Sequence, residues 1–485
     1  MKLGRTSVGL LTVLSVAAAA AQADWPQWNG VNRDGKSLET GLLKQWPDGG
    51  PKLLWTADTD IGGGFSSPSV TAEAIYVTGL VGKDGWLFAF DLAGKSKWKH
   101  NYGPDWSGQH AGVRTTPTVD GDRLYLMSGQ GRIVCIETAT GKEKWGFNAI
   151  EKFGGRNIKW GIAESPLVYG NTVVCTPGGR DASLVGLDKM TGRTLWTTKG
   201  LSDLAGYCSP LLIKEGSRNL IVTATENNIV GVGPDDGRVF WKVPYRNKWA
   251  AHPNTPLYHD GSVFVTSNYG LGGMMLRLSQ DGKSVTEAWR ERSLDTHHGG
   301  VVLVNGCIYG SASRGHRMCL DWKTGKIMYR TDRPHKGSVI AADGMLYCYD
   351  ESGSVCLVEA SPKGYNVVSS FKVTQGAGNH WAHPVIAGGR LYIRHGGVLM
   401  AHDIKGKDYK AAARGDKQPA DSPAAELVKD QQEVAAENKL KMARMYLRMG
   451  MKNKAQQELA AIVETYGRTE AAKQAAKELA DLKQN

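Results

Sequence analysis

A five-residue phrase, Gly-Lys/Arg-x-x-Trp, returns roughly every 45 residues along this chain, and no other feature restricts the possible folds so severely. The clear copies are Gly94 to Trp98, Gly141 to Trp145, Gly192 to Trp196 and Gly237 to Trp241. Worn copies stand at Gly282 to Trp289 and Gly325 to Tyr329. Each copy follows a short apolar run that usually ends in an acid, as in Leu184-Val185-Gly186-Leu187-Asp188. A fixed period of this length in strand-forming sequence predicts propeller blades.

Between the Trp phrases each unit offers three more short strands. The first is marked by a Ser/Thr-Pro step at Pro68, Pro117, Pro166, Pro210 and Pro256, and by His383-Pro384 in the last unit. Two units between Pro256 and Pro384 lack the proline, and their first strands are expected at Gly299 to Val304 and Gly337 to Ala342. Second strands such as Ile75-Tyr76-Val77-Thr78 and Val263-Phe264-Val265-Thr266 combine β-branched and aromatic residues between Gly, Asp and Asn. The count is eight. The last unit, ending at Asp403, has no fourth strand of its own. The orphan Lys52-Leu53-Leu54-Trp55-Thr56 is the expected replacement, closing the ring and removing its free edges.

The 485-residue chain opens with a basic Met1 to Arg5, an apolar run from Ser7 to Ala21 and Ala21-Gln22-Ala23 before Asp24. This pattern predicts a secretory leader over 1–23 and a periplasmic or secreted product. The apolar run is too short for a transmembrane anchor. The formal charge of +12 is spread over leader, body and the 405–420 stretch. A diffuse excess does not make a nucleic-acid stripe, and no nucleic-acid partner is expected. Seven cysteines, an odd number, leave at least one unpaired or bridging to another molecule; inert core thiols are the leading expectation, with Cys348 and Cys356, flanking the turn at Glu351-Ser352-Gly353, the best-placed disulfide candidate.

The Asp-x-x-Thr-Gly-Lys/Arg-x-x-Trp form, best at Asp188 to Trp196 and echoed at Glu137 to Trp145 and Asp321 to Tyr329, resembles the tryptophan-docking motif of quinoprotein-type eight-bladed propellers. The opening Trp25-Pro26-Gln27-Trp28-Asn29-Gly30 and Asn32-Arg33-Asp34-Gly35, with the late Trp381-Ala382-His383-Pro384, is similar to exported bacterial PQQ-repeat proteins. The resemblance spans about Asp24 to Lys405. It implies an all-β, eight-bladed β-propeller of four-stranded blades over 24–404. Residues 405–423, rich in Lys, Ala, Asp and Pro, read as a linker. From 424 to 485 helical spacing takes over: Leu440, Ala443, Tyr446 and Leu447 share a face, and Ala455, Leu459, Ile462 and Val463 share another after Gly450. This segment resembles one tetratricopeptide repeat followed by a third helix capped by Thr469.

Propellers bind ligands at the channel mouth, on loops entering the innermost strands. Seven of the twelve histidines fall in or beside those loops, including His335 and His383. The candidate ligand-binding residues are Arg114, Trp160, Glu164, His252, Asn254, His297, His298, Lys336, His380 and Trp381, a set suited to a polar ligand, an anion or a quinone. The quinoprotein resemblance implies PQQ and Ca²⁺, with Asp295 as catalytic acid-base residue and Asp181 and Asn268 as metal ligands. The match is partial. Gly178-Gly179-Arg180-Asp181 replaces the Gly-Gly-Ala-Glu pattern, and no two cysteines are adjacent. The chain also resembles the periplasmic propeller lipoproteins of outer-membrane β-barrel assembly, which bind a partner without a quinone; it lacks their lipid-anchor cysteine. The leading expectation is a binding or scaffold protein acting through the channel mouth and the helical tail. The alternatives are a PQQ- and Ca-dependent alcohol dehydrogenase and a polysaccharide or small-ligand binder.

Overall fold

The computed structural model describes residues 24–57, 59–334, 336–411, 423–448, 451–466 and 469–484. The expected leader and His335 lie outside them. Eight four-stranded antiparallel blades form the ring, and in blades 1 to 7 the blade's own first strand in sequence is innermost. Blade 1 runs from Ser69–Val70 out to Ser96–Pro104, and blade 7 from Gly337–Ala342 out to Val367–Lys372. Blade 8 has its inner three strands at Val385–Ala387, Arg390–His395 and Val398–Asp403. Its outer strand is Leu53–Thr56 from the other end of the chain, with Trp55 opposite Ala401. The two proline-less inner strands form at Val301–Val304 and Gly337–Ala342.

The recurring phrase has a physical reason. Its glycine sits at positive φ, +71° to +81° in the copies at Gly94, Gly141 and Gly192, and a Cβ there would collide with the indole of the preceding blade. Gly141 thus faces Trp98, Gly192 faces Trp145, Gly237 faces Trp196, and Gly325 faces Trp289. Each indole also donates its Nε1–H to a carbonyl of the next blade: Trp98 to Thr138 at 3.0 Å, Trp145 to Lys189 at 3.0 Å and Trp196 to Pro234 at 2.9 Å. Trp55 of blade 8 repeats the contact on Gly94 of blade 1 and donates to Leu92, so the lock continues across the junction. Trp241 has no partner for its Nε1 among the described residues, and Gly282 contacts Leu220 instead of a tryptophan, which is why that copy looks worn. A register shift beside the indole, between Cys135 and Ile136 or Gly186 and Leu187, recurs from blade to blade and turns the ring toward its neighbour.

The segment from Trp25 to Ser37 lies across the channel axis. Trp25 exchanges backbone bonds with Val70 of blade 1, Pro26 accepts from Val119 of blade 2, and Gly35 accepts from Ala341 of blade 7. Lys36–Ser37 then pairs in parallel with the inner strand of blade 7. Arg33 is fully enclosed. Its guanidinium donates to the carbonyls of Ser165, Pro166 and Pro210 and to Thr118 Oγ1, on three different blades, and to Gln27 Oε1. The channel is therefore plugged by residues 25–37 of the chain itself.

One boundary differs from the sequence reading. Lys405–Lys410, expected as linker, is a strand pairing with Thr40–Leu42. Its side chains stay largely outside, so backbone pairing to the N-terminal arm holds it and composition carries no trace of it. The remainder of that expected linker, 412–422, lies outside the described residues. The tail forms helices Pro423–Arg448, Lys452–Tyr466 and Glu470–Gln484 around a separate core that includes Leu440, Leu459, Ile462 and Ala475. The first helix runs beside the inner strand of blade 4. Thr469 caps the third helix through Ala472 N at 3.0 Å, and Glu433 accepts from Glu470 N and Ala471 N at that same positive helix end. All seven cysteines are free thiols; Cys348 and Cys356 stand directly opposite each other in register. No described helix is long and apolar enough to cross a membrane.

Candidate functional site

Because the innermost strand leaves the mouth, the second returns and the third leaves again, two sets of connections build the mouth face. One is the loops entering the first strands, and the other is the turns between second and third strands. Between them lies a cavity of about 220 Å³. Trp381 is central, with ring centroids 4.9 Å from Phe65, 5.2 Å from His110 and 5.1 Å from His298. Trp28 of the axial segment belongs to the same wall, 4.6 Å from the His383 ring, its Nε1 bonded to Thr255 at 2.9 Å. Trp160, Tyr207 and Tyr269 complete the aromatic lining, and Trp249 packs edge-on to both Trp160 and Tyr269. His110, Tyr207 and Tyr269 all hold left-handed backbone, at φ +53°, +68° and +58°. Bulky residues adopt that region only where the surroundings force them, and such strain collects at functional sites.

The histidines form a hydrogen-bonded chain. His383 Nε2 donates to the His298 carbonyl at 2.8 Å, which leaves His383 Nδ1 an acceptor without a partner among the described residues. His298 Nδ1 lies 3.2 Å from His297 Nδ1, and the Tyr269 hydroxyl lies 3.4 Å from His297 Nε2. Burial lowers the pKa of His383 to about 4, and burial with the nearby Lys336 and His110 lowers His297 to about 4. His298 is pushed down by burial and by His297. At neutral pH these rings are uncharged, each with one donor and one acceptor.

Arg114, Trp160, His297, His298 and Trp381 line the cavity as the sequence suggested, and so does Asn268. Other candidates serve the framework. Asn254 donates to the Thr266, Thr296 and His297 carbonyls and accepts from Gly300 N, which uses its whole amide as a brace between blades. His252 is buried against Ser267 and the Glu226 carbonyl, and burial lowers its pKa to about 4. Glu164 is enclosed beneath the mouth, bonded to Thr176 N at 2.6 Å and to the Thr176 hydroxyl. Burial lifts its pKa to about 7 against the pull of these bonds and of Arg33. Lys336 stands one step back, paired with Glu351 at 2.9 Å, whose carboxylate lies 3.4 Å from His298. His380 turns away to the Tyr349 hydroxyl and stacks on His395 at 3.7 Å.

The residues do not fit a calcium-quinone centre. Asp295 is committed to Ser313, accepting from its N at 3.0 Å and its hydroxyl at 2.6 Å. Asp181 accepts from Gly200 N at 2.9 Å, and Asn268 Oδ1 lies 3.3 Å from Asn247 Nδ2. The three come from blades 6, 3 and 5, each bonded to a neighbouring loop, and of the three only Asn268 reaches the cavity. Among the described residues no three His, Cys, Asp or Glu side chains form a metal-holding group. The sequence places Tyr207 on a mouth loop without making it a ligand candidate, and it passes over Trp28, Trp249 and Tyr269 as site residues. Tyr269 lies on a second-to-third-strand turn, and Trp28 was visible only as part of an N-terminal motif.

Fold and mouth together define an eight-bladed propeller of the type shared by BamB proteins and quinoprotein dehydrogenases. The family model described as outer membrane protein assembly factor BamB (PQQ_2) matches residues 83–331, just over half of the chain, and the chain belongs to that family. It is 23% identical over 282 residues to the outer membrane protein assembly factor BamB of Moranella endobia, covering 54% of this chain and 69% of that protein. It is 28% identical over 260 residues to the 1-butanol dehydrogenase (quinone) of Thauera butanivorans, covering 45% of this chain but only 41% of the dehydrogenase. The crystal structure of BamB from Moraxella catarrhalis superposes with a TM-score of 0.54 at 15% identity, over 73% of this chain and 98% of that one, a likeness of fold.

Proposed function

We propose that the chain is an exported, non-catalytic binding protein whose ligand seats in the mouth cavity and whose helical tail offers a second docking surface for a protein partner. One observation carries this reading: the wall is made mostly of aromatic rings and the uncharged imidazoles of His297, His298 and His383, with the Arg114 guanidinium among them, while the carboxylates that could do acid-base or metal chemistry are spent on neighbouring turns. Membership of a family described as an outer membrane assembly factor supports a role in binding. The test is a titration with PQQ and millimolar Ca²⁺, read by melting temperature and dye-coupled alcohol oxidation. No calcium-dependent rise and no turnover are expected. A quinone- and calcium-dependent rise of several degrees would overturn the reading in favour of a dehydrogenase. The tail is tested separately: removing 424–485 should abolish a co-purifying partner and leave the propeller folded.

A further inference from the structure

Three cations stand around the mouth without a carboxylate. The Arg114 guanidinium donates to the Gly112 and His110 carbonyls and lies 5.8 Å from the Phe65 centroid. Lys159 Nζ lies 3.6 Å from the centroid of Trp249 and 5.1 Å from that of Trp160. Lys248 Nζ lies 5.3 Å from Trp249 and 5.6 Å from Tyr269. None has an acidic partner within ion-pair distance among the described residues, whereas Lys144, Lys189 and Lys336 are each held by a carboxylate. The platform under the two lysines is open: Trp249 is 36% exposed and Tyr269 41%.

Cavity size sets the scale of the occupant. About 220 Å³ is less than the ~300–1,000 Å³ that a drug-sized ligand fills, so the cavity takes one ring of a longer molecule that continues over the platform. Neutral histidines that both donate and accept match hydroxyl groups, which do the same, and the buried Nδ1 of His383 still lacks a donor. Aromatic faces suit the C–H faces of sugar rings. A peptide fits less well. Strand addition needs free backbone groups, and here Arg114 takes the His110 and Gly112 carbonyls, Asn254 takes those of Thr296 and His297, and His252 N takes that of Gly206.

We propose that the mouth binds an acidic saccharide, a uronate oligosaccharide whose terminal ring enters the cavity against Trp381 while carboxylates on the following rings meet Lys159, Lys248 and Arg114. This rests on the binding-protein reading above and names its ligand class. The experiment uses the full chain with trigalacturonate, neutral galactotriose and hexaglutamate as probes, read by tryptophan fluorescence and calorimetry at low salt and at 0.3 M NaCl. Trigalacturonate is expected to bind about tenfold tighter than galactotriose at low salt, with the gap narrowing in high salt. The double variant K159Q/K248Q should close the gap to about threefold or less at an unchanged melting temperature, and Trp249→Ala should weaken both sugars. Equal binding of acidic and neutral sugars, no saturation by trigalacturonate at 10 mM, or hexaglutamate binding as tightly as the sugar each overturns the proposal. These outcomes leave the quinone titration untouched, so the ligand class and the non-catalytic reading fail separately.

Discussion

Replacing Arg33 by methionine keeps most of the side-chain volume and removes the hydrogen bonds of the one side chain that ties the axial segment to blades 2, 3 and 4 together. The Ser165 and Pro210 carbonyls, the Thr118 hydroxyl and the Gln27 amide oxygen lose their donor, while the Pro166 carbonyl keeps that of Thr118; all but the Gln27 contact are buried. Hydrogen bonds to a charged group contribute about 1.5–3 kcal/mol each, and a buried acceptor left bare costs about 1–3 kcal/mol. Against this stands the several kcal/mol spent desolvating the guanidinium, which the variant recovers. The net loss comes to about 4 kcal/mol. Unfolding entropy near 2.1 cal/mol/K per residue over a propeller of roughly 380 residues turns that into a drop of about 5 °C in Tm. Arg33→Lys keeps the charge but replaces a five-donor fork with a point donor, and should lose about half as much. Differential scanning calorimetry at a fixed scan rate and pH 8 reads both. A methionine variant melting within 1 °C of the parent would show that the plug does not hold the blades together.

Acid should weaken the fold through its buried histidines. His252 and His383 have folded pKa values near 4 against an unfolded value near 6.5, so their stabilising contribution is complete above pH 6.5 and is lost as pH falls toward 4. Each accounts for about 2 kcal/mol by pH 5, and denaturant melts at pH 7 and pH 5 should differ accordingly, less so in His252→Gln. Glu164 works in the opposite sense: raised to about 7, it favours the fold below pH 4.5 and loses that contribution as pH climbs through 7, so Glu164→Gln should flatten the alkaline side of the profile. Gly141→Ala should cost clearly more than Gly121→Ala. Both are left-handed, worth about 1–2 kcal/mol of strain, but only at Gly141 does the new methyl strike an indole, 2.5 Å from Trp98. Equal melting temperatures for the two alanine variants would count against the tryptophan lock.

Blade number, ring closure and the capped third tail helix were legible because each leaves a repeated or local mark: a glycine that must clear an indole, an orphan strand, a threonine before a helix. The strand at Lys405–Lys410 left none, since it pairs through backbone alone. The candidate site was half legible. Loop position singled out Arg114, Trp160, His297, His298 and Trp381, but position does not reveal where a polar side chain spends its hydrogen bonds. Asn254 and His252 thus read as ligand contacts and Asp295 as a catalytic residue, yet each spends hydrogen bonds on neighbouring framework groups. Trp28 shows the converse. Its place beside His383 depends on a segment crossing the ring from more than 200 residues away in sequence, a contact no local pattern encodes.

The closing strand of blade 8 also sets a timetable. Leu53–Thr56 is made early, yet its partner Val398–Asp403 is nearly the last part of the ring to be synthesised. The Trp25–Gly35 plug likewise needs inner strands from blades 1 to 5 and blade 7. Contacts of such sequence separation form slowly, and until they do both ends of the sheet ring stay open to other chains. A nascent or truncated copy missing only the last unit therefore has neither a sealed seam nor a tryptophan lock between first and last blades. The join acts as an end-of-message check, converting a ladder of eight similar sheets into one closed, cooperative unit only when the whole message has been read.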